Sequence, residues 1–135
     1  MKLTMRLVNE DAQDLPAYDN EIETTEMGAC VSVIVAWDKQ LGRYRQMRGF
    51  HGSGGIENVN AVSLCAGVPD HQDTQVFVIS GSDNLTQYAR AKLNEWYRVN
   101  IRNRIPRAHV RFHHEVNNAK VNRDGDVTIL GVRGH

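Results

Sequence analysis

A run of apolar, mostly β-branched residues constrains the fold of this chain more than any other stretch. Residues 29–37 are ACVSVIVAW, with apolar side chains at almost every position. A run that barely alternates is typical of a strand at the centre of a sheet, where both faces are buried. It is much shorter than the ~18 apolar residues of a membrane-spanning helix. The sequence therefore predicts a globular fold with other elements on both faces of this strand.

The segment that follows predicts a partner for this strand. Residues 38–42 form a turn that ends in Gly42, and residues 43–50 alternate polar and apolar side chains as a half-exposed strand does. The two strands would form a hairpin, which returns the end of its second strand to the start of its first. The pattern therefore predicts that His51 lies near Cys30.

Strands and helices alternate along the rest of the chain. We expect a first strand in residues 1–8 and a polar, acidic surface loop over residues 9–26. Further elements are a short helix over 56–67, strands over 75–80, 108–113 and 127–130, and a long helix that starts at Ser82 or Asp83 and ends near Arg102. The apolar stripe of the long helix is Leu85, Tyr88, Ala89, Leu93, Trp96 and Val99 or Asn100. This order predicts an α/β or α+β fold, a single domain with a mixed sheet layered with helices.

The composition is that of one globular domain. The chain has 135 residues, and its 16 basic and 16 acidic residues cancel, which argues against a global field that attracts nucleic acid or acidic membranes. Cys30 and Cys65 lack the spacing of a disulfide framework, so we expect reduced thiols and a cytoplasmic location. The apolar region before Glu10 is too short for a signal peptide, so export would need another route.

Cys30 is the residue whose surroundings point most directly to chemistry. It follows Gly28 and Ala29 at the start of the buried strand. A thiol attacks a carbonyl as the thiolate, so it needs a nearby imidazole such as His51 to take its proton. Backbone N–H groups of the 28–30 turn would then hold a developing oxyanion. The alternative is structural, with Cys30 as a small buried apolar residue and His51 as a hydrogen-bonded turn residue.

Residues 24–33, TTEMGACVSV, resemble the signature Thr-x-x-Leu-Gly-Ser-Cys-Val-Ala-Val of the chemotaxis receptor glutamine deamidases, the CheD family. The catalytic core of that family also occurs in cytotoxic-necrotizing-factor-like toxins. Thr24 stands six residues before Cys30, as the threonine of the signature does, and His51 follows the hairpin, although its separation from Cys30 is larger than in the family. Residues 75–81 and 121–127 resemble later strands. The resemblance divides the chain into an N-terminal strand and acidic loop, 1–23, and a CheD-like region, 24–135, within one domain.

The resemblance implies a cysteine-dependent protein-glutamine deamidase. Cys30 would attack a glutamine carboxamide of a partner protein, His51 would protonate the departing ammonia and activate water, and Thr24 would orient His51. Four further residues would complete the site, Gly28 and Ala29 as oxyanion donors and Gly52 and Ser53 at the substrate. No metal or cofactor is required, and an amine in place of water would give transglutamination. The protein would act in chemotaxis or as a bacterial effector or toxin, in the cytoplasm or delivered to a target cell's cytosol.

Two other functions stay open. One is a binding module for nucleic acid or protein that uses a basic face made of Arg98, Arg102, Arg104, Arg107 and Arg111, with Arg43, Arg45 and Arg48. The structural explanation for these arginines is that the C-terminus of a helix favours cationic side chains. The other is a member of the deamidase fold that has lost activity and keeps a structural role.

Histidine-rich segments do not predict a metal site. His109 and His113 lie on one predicted strand, His114 and Glu115 follow it, and Cys65 precedes His71. The spacings match no known zinc motif, and consecutive residues such as His113 and His114 point to opposite faces of a strand.

Overall fold

The computed structural model describes residues 3–8, 11–81 and 86–132. Within these residues, eight strands form one mixed sheet, and two α-helices join them, as expected for a single α+β domain. The strands are β1 (Thr4–Arg6), β2 (Gln13–Asp14), β3 (Glu21–Thr24), β4 (Val31–Gln40), β5 (Arg43–Gly52), β6 (Gln75–Gly81), β7 (His109–Asn122) and β8 (Val127–Val132). The helices are α1 (Ala61–Cys65) and α2 (Gln87–Asn100), and a 3-10 turn covers Ile56–Asn58.

The sheet curls so that strands far apart in its order approach each other. Its order is β1-β3-β7-β6-β4-β5-β2, with β8 added to β7. The β1–β3 and β6–β7 pairs are parallel and the others are antiparallel. A Cβ placed on Gly49 of β5 would lie 2.7 Å from Leu7, which follows β1. The end of β1 therefore closes over β5 although four strands separate them in the sheet.

The predicted central strand is confirmed as β4, which lies between β5 and β6. Its residues 31–36 are all buried. Alternate side chains enter two apolar layers, because successive residues of a strand face opposite sides. The helix-side cluster includes Val31, Val33, Val35, Phe50, Leu93, Tyr97 and Ile101. The inner cluster, within the curl, includes Ile22, Met27, Ile34, Ala36, Met47, Phe77 and Ile79.

The β4–β5 hairpin is confirmed and is long because its strands are long. A two-residue turn, Leu41 and Gly42, joins ten-residue strands, and both residues have positive φ angles of 53° and 79°. This is the turn geometry that suits the twist of a two-residue hairpin. The wide sequence separation of Cys30 and His51 is therefore taken up by paired strand, and His51 still lies directly opposite Ser32.

The surface loop predicted over residues 9–26 is wrong, because its second half contains β3. This strand lies between β1 and β7, and its Ile22 and Thr24 are fully buried. The alternating Glu21 and Glu23 are half-buried, and their carboxylates contact Thr4 and Arg6 of the neighbouring strand at 2.7 and 3.2 Å. The acidic residues that suggested a loop are therefore the outer side of a short strand.

The long helix is confirmed, but its buried face differs from the predicted stripe. Thr86 caps its start, since the Thr86 hydroxyl accepts the Ala89 N–H at 3.0 Å. The predicted caps Ser82 and Asp83 and the apolar Leu85 lie outside the described residues. Leu93, Tyr97 and Ile101 are the buried side chains, whereas Tyr88 is 78% exposed and Val99 is 45% exposed. The buried residues are spaced four apart along the chain. The buried face of the helix therefore passes through Tyr97 and not through Trp96 of the predicted stripe.

Several other predicted elements are confirmed, with different bounds. The first strand covers Thr4–Arg6, and the predicted helix over 56–67 is a 3-10 turn followed by α1. The strand predicted over 108–113 is part of the much longer β7. Among the described residues, no helix is long and apolar enough to cross a membrane.

Gly81 allows the loop before β4 to cross the end of β6. A Cβ at this position would lie 2.0 Å from the Gly28 carbonyl oxygen and 2.5 Å from that of Met27. We expect Gly81→Ala to lower the free energy of unfolding by about 2–3 kcal/mol, because backbone atoms would have to shift. Urea denaturation measures the change.

Gly49→Ala is the matched control for this substitution. Its Cβ would meet only the flexible tip of Leu7, at 2.7 Å, so we expect it to cost less than about 1 kcal/mol. Equal losses in the two variants would contradict the close-approach explanation.

Candidate active site

Thr24 and His51 meet at the open end of the curled sheet. Thr24 is the last residue of β3, and its Oγ1 lies 3.0 Å from His51 Nδ1. Both residues are buried, with exposures of 0% and 6%. The contact joins residues 27 positions apart and depends on the path of the sheet from β3 through β7, β6 and β4 to β5.

Two further side chains surround the Thr24 hydroxyl. Ser32 Oγ lies 2.7 Å from Thr24 Oγ1, and Met27 Sδ lies 3.1 Å from the same oxygen. Ser32 Oγ is in turn 3.7 Å from the Met27 sulfur. Neither residue was predicted from the sequence as part of the site. Ser32 could have been identified from the sequence, because it is a polar residue within the apolar run of β4. The hairpin register places it opposite His51.

Cys30 lies immediately before β4, at the end of a tight turn. Its N–H donates to the Met27 carbonyl, and its carbonyl accepts the Gly81 N–H at 2.9 Å. Cys30 is two residues before Ser32, which pairs with His51, and it packs against the inner cluster.

Cys30 and His51 line the same pocket. The pocket has a volume of about 380 Å³, and its other lining residues include Arg6, Thr25, Glu26 and Ser53. The Cys30 side chain is partly exposed and packs against the inner cluster. The Cys30 thiol and the His51 imidazole therefore share one surface pocket.

Burial of His51 favours its neutral form. Desolvation lowers the pKa of the imidazole below its ordinary value of 6.5, and the nearby Glu26 carboxylate opposes this only partly. A neutral imidazole is the form that accepts a proton from a thiol or from water. At neutral pH His51 is therefore mostly in the form that can accept a proton.

The residues predicted around the nucleophile have different positions. The Cys30 N–H is used within the turn, so it does not act as an oxyanion donor, and the roles of Gly28 and Ala29 stay predictions. Ser53 lines the pocket. Gly52 pairs with Val31, and a Cβ on it would lie 2.6 Å from Val59, so its outer face is filled by the helix-side cluster.

Cys65 lies on the other side of the sheet from Cys30. It packs against the helix-side cluster, and burial raises the pKa of its thiol above the ordinary value of 9.0. Both cysteines are reduced thiols. The chain thus carries one thiol in a pocket beside an imidazole and another that burial keeps protonated.

The histidines of β7 lie on its two faces, as the consecutive positions of His113 and His114 predict. His114 stacks on Phe112, and its Nδ1 lies 2.8 Å from Ser80 Oγ, whereas His113 is on the opposite face. Within residues 3–8, 11–81 and 86–132, no three His, Cys, Asp or Glu side chains are grouped to hold a metal ion.

The predicted basic face is divided between the two sides of the sheet. Val110 and Phe112 pack against the helix-side cluster, so Arg111 between them points away from α2 and lies over the Phe77 ring, 5.5 Å from its centroid. Arg48 donates to the carbonyls of three residues at the end of α1, Ser63, Leu64 and Ala66, and pairs with Asp14. Arg48 therefore has a structural role, since it connects β5 to the end of α1. The arginines near the end of α2 and Arg111 lie on different sides of the sheet.

Comparisons with known proteins do not assign the chain. No model of a known protein family matches it, and no curated protein matches it in sequence. The resemblance to the CheD family stays a prediction from the sequence, so the function is argued from the geometry of the pocket.

The depressed pKa of His51 predicts a pH-dependent stability. The unfolded imidazole, with its ordinary pKa of 6.5, binds a proton at a higher pH than the folded one. Stability is therefore full above this value and falls as the pH is lowered from about 7 to about 5.5. His113 and His114 also have lowered pKa values, because of burial first, and add to the same trend. Chemical denaturation across this range measures it.

We expect His51→Gln to reduce this pH dependence without abolishing it, since the half-buried His113 and His114 also have lowered pKa values. His109→Gln, at an exposed position, is the control and should leave the pH dependence unchanged. A stability that rises on acidification would contradict the neutral assignment of the buried imidazoles.

Proposed function

We propose that this protein is a cysteine-dependent amidohydrolase that converts a glutamine side chain of a partner protein to glutamate. One observation carries the proposal: His51, buried and hydrogen-bonded to Thr24 at 3.0 Å, lines the same pocket as the Cys30 thiol. A thiol, a neutral imidazole and a polar group that orients the imidazole are the parts that thiol-based acyl transfer needs.

The reaction proceeds through a thioester. The Cys30 thiol gives its proton to His51, and the thiolate attacks the carboxamide carbon. The backbone N–H groups of Gly28 and Ala29 are the proposed donors to the oxyanion. The imidazolium returns the proton to the amide nitrogen, ammonia leaves, and the acyl group remains on sulfur. His51 then removes a proton from water, which attacks the thioester and releases glutamate and the Cys30 thiol.

An open pocket at the surface suits a side chain that is presented by another protein. Its volume of about 380 Å³ is modest, and the charged Arg6 and Glu26 lie on its wall. A glutamine carboxamide is uncharged and carries both a donor and an acceptor, so it matches a wall of mixed polarity. An amine that entered in place of water would yield a transglutaminated product from the same thioester.

The proposed chemistry needs a reduced thiol and therefore a reducing compartment. The cytoplasm, or the cytosol of a target cell, meets this requirement. A chemotaxis receptor or a host protein that is modified by a bacterial effector are the corresponding types of substrate.

Ammonia release from glutamine-bearing proteins tests the proposal. We expect the protein to convert a subset of glutamines in a broad peptide library, and mass spectrometry identifies the converted positions. Cys30→Ser should lower the rate by at least about 100-fold, because hydroxyls are poor nucleophiles at neutral pH. Cys65→Ser is the control and should keep full activity. Equal activity in the Cys30 and Cys65 variants would exclude the mechanism.

The same site predicts a difference in reactivity between the two thiols. We expect iodoacetamide to alkylate Cys30 faster than Cys65, whose pKa is raised by burial. His51→Gln should slow alkylation of Cys30 and leave that of Cys65 unchanged. Peptide mapping after timed quenching measures both rates, and a faster reaction at Cys65 would contradict the assignment of the nucleophile.

A further inference from the structure

Met27 closes a buried hydrogen-bonding cluster behind His51. Its sulfur lies 3.1 Å from Thr24 Oγ1 and 3.7 Å from Ser32 Oγ, while Thr24 Oγ1 lies 2.7 Å from Ser32 Oγ and 3.0 Å from His51 Nδ1. Thr24, Ser32 and Met27 have exposures of 0%. Because water does not reach these atoms, their hydrogen-bond roles have to be assigned among themselves.

The sulfur limits how the protons are arranged. A thioether only accepts, a hydroxyl donates one proton, and each nitrogen of a neutral imidazole either donates or accepts. If Thr24 donates to the Met27 sulfur, its contacts with Ser32 and His51 are hydrogen bonds only when both of them donate to Thr24. If Thr24 instead donates to Ser32, and Ser32 to the sulfur, His51 Nδ1 must again donate. In both arrangements the ring proton is on Nδ1.

The opposite tautomer leaves two of the four contacts without a proton, whereas the Nδ1–H tautomer leaves only one of the two hydroxyl–sulfur contacts without one. Thr24 would then donate to a bare His51 Nδ1, and only the Ser32 proton would remain. If Ser32 donated to Thr24, the Met27 sulfur would accept nothing from either hydroxyl. If it donated to the sulfur, two hydroxyl oxygens would face each other at 2.7 Å with no proton between them. With the proton on Nδ1, three of the four contacts are hydrogen bonds and the sulfur accepts from one hydroxyl, whereas the other tautomer provides only two hydrogen bonds.

We propose that the Met27 thioether sets the tautomer of His51, holding the proton on Nδ1 and leaving the Nε2 lone pair for the Cys30 thiol. Met27 acts through Thr24 and is a positioning residue. The catalytic meaning of this role rests on the proposed function, whereas the tautomer itself does not. When Cys30 gives up its proton, the proton binds Nε2, and the Nδ1–H stays hydrogen-bonded to Thr24.

Met27 and Ser32 have separable effects. Without the sulfur, the Nδ1–H tautomer leaves one buried hydroxyl proton with no acceptor in the cluster, whereas the other tautomer satisfies both hydroxyls. Without the Ser32 hydroxyl, Thr24 still accepts from Nδ1–H and donates to the sulfur. The deamidase signature that residues 24–33 resemble has Leu and Ala at these two positions, so the thioether and the second hydroxyl are features of this chain.

Long-range proton–nitrogen NMR of the His51 ring tests the proposal, since it distinguishes a nitrogen that bears a proton from one with a lone pair. In the unsubstituted protein above pH 7 we expect the proton on Nδ1. Met27→Leu should shift the tautomer ratio toward Nε2–H by about tenfold, the effect expected for one lost hydrogen bond and one unsatisfied buried donor. Ser32→Ala should retain the Nδ1–H form.

Met47→Leu is the matched control, because Met47 is 1% exposed in the same inner cluster. It should leave the His51 spectrum unchanged. If Met27→Leu does not fold, norleucine at the methionine positions replaces sulfur by a methylene of similar shape and should produce the same shift, with selenomethionine as its control. An unchanged ratio on loss of the sulfur, or a proton on Nε2 in the unsubstituted protein, would overturn the role of Met27.

These spectra need no turnover, so the two proposals fail separately. A tautomer that responds as expected in a protein that converts no glutamine would remove the proposed function and support the role of Met27. Glutamine conversion in a protein whose tautomer ignores the sulfur would support the function and remove the role of Met27.

Discussion

The antiparallel pairing of β4 with β5 is the constraint on which the site depends. The two strands pair from Val31 with Gly52 to Gln40 with Arg43, and this one register decides which side chains share a face. It places Ser32 opposite His51 and sets Cys30 on the same side. A slip of one residue would move His51 into the helix-side cluster, since neighbouring strand residues face opposite layers. The same pairing therefore builds the core and positions the imidazole.

The second requirement is a polar cluster within an apolar layer. Thr24, Ser32 and His51 lie among side chains of the inner cluster such as Met27 and Ile79. A buried hydroxyl without a partner costs about 1–3 kcal/mol, so such a group persists where every member is hydrogen-bonded. The 2.7–3.1 Å contacts around Thr24 meet this requirement. Apolar residues at these positions would need no hydrogen-bond partners. The polar cluster instead fixes the position of the His51 imidazole at the pocket.

Some of this arrangement could be predicted because it is local. The non-alternating run of β4, the Gly42 turn and the alternating β5 are patterns within 24 neighbouring residues, from residue 29 to residue 52. They were enough to predict the hairpin, at whose open end Cys30 and His51 line one pocket. The long helix was predictable for the same reason. Its buried face was not, because Tyr97 and Trp96 are both large and only the neighbouring sheet decides which of them is covered.

The sequence by itself determined the strand that follows Cys30 and the strand that carries His51, since alternation and turn residues act between near neighbours. Only the tertiary structure decided that residues 21–24 form a strand, that Thr24 reaches His51, and that Met27 and Ser32 complete the cluster. These contacts depend on the order β3-β7-β6-β4-β5 and on the curl of the sheet, which brings together residues from β3 and β5. β3 is short and acidic, and it has too few apolar residues to be predicted as a strand from the sequence. It forms a strand because β1 and β7 supply hydrogen-bond partners for its backbone.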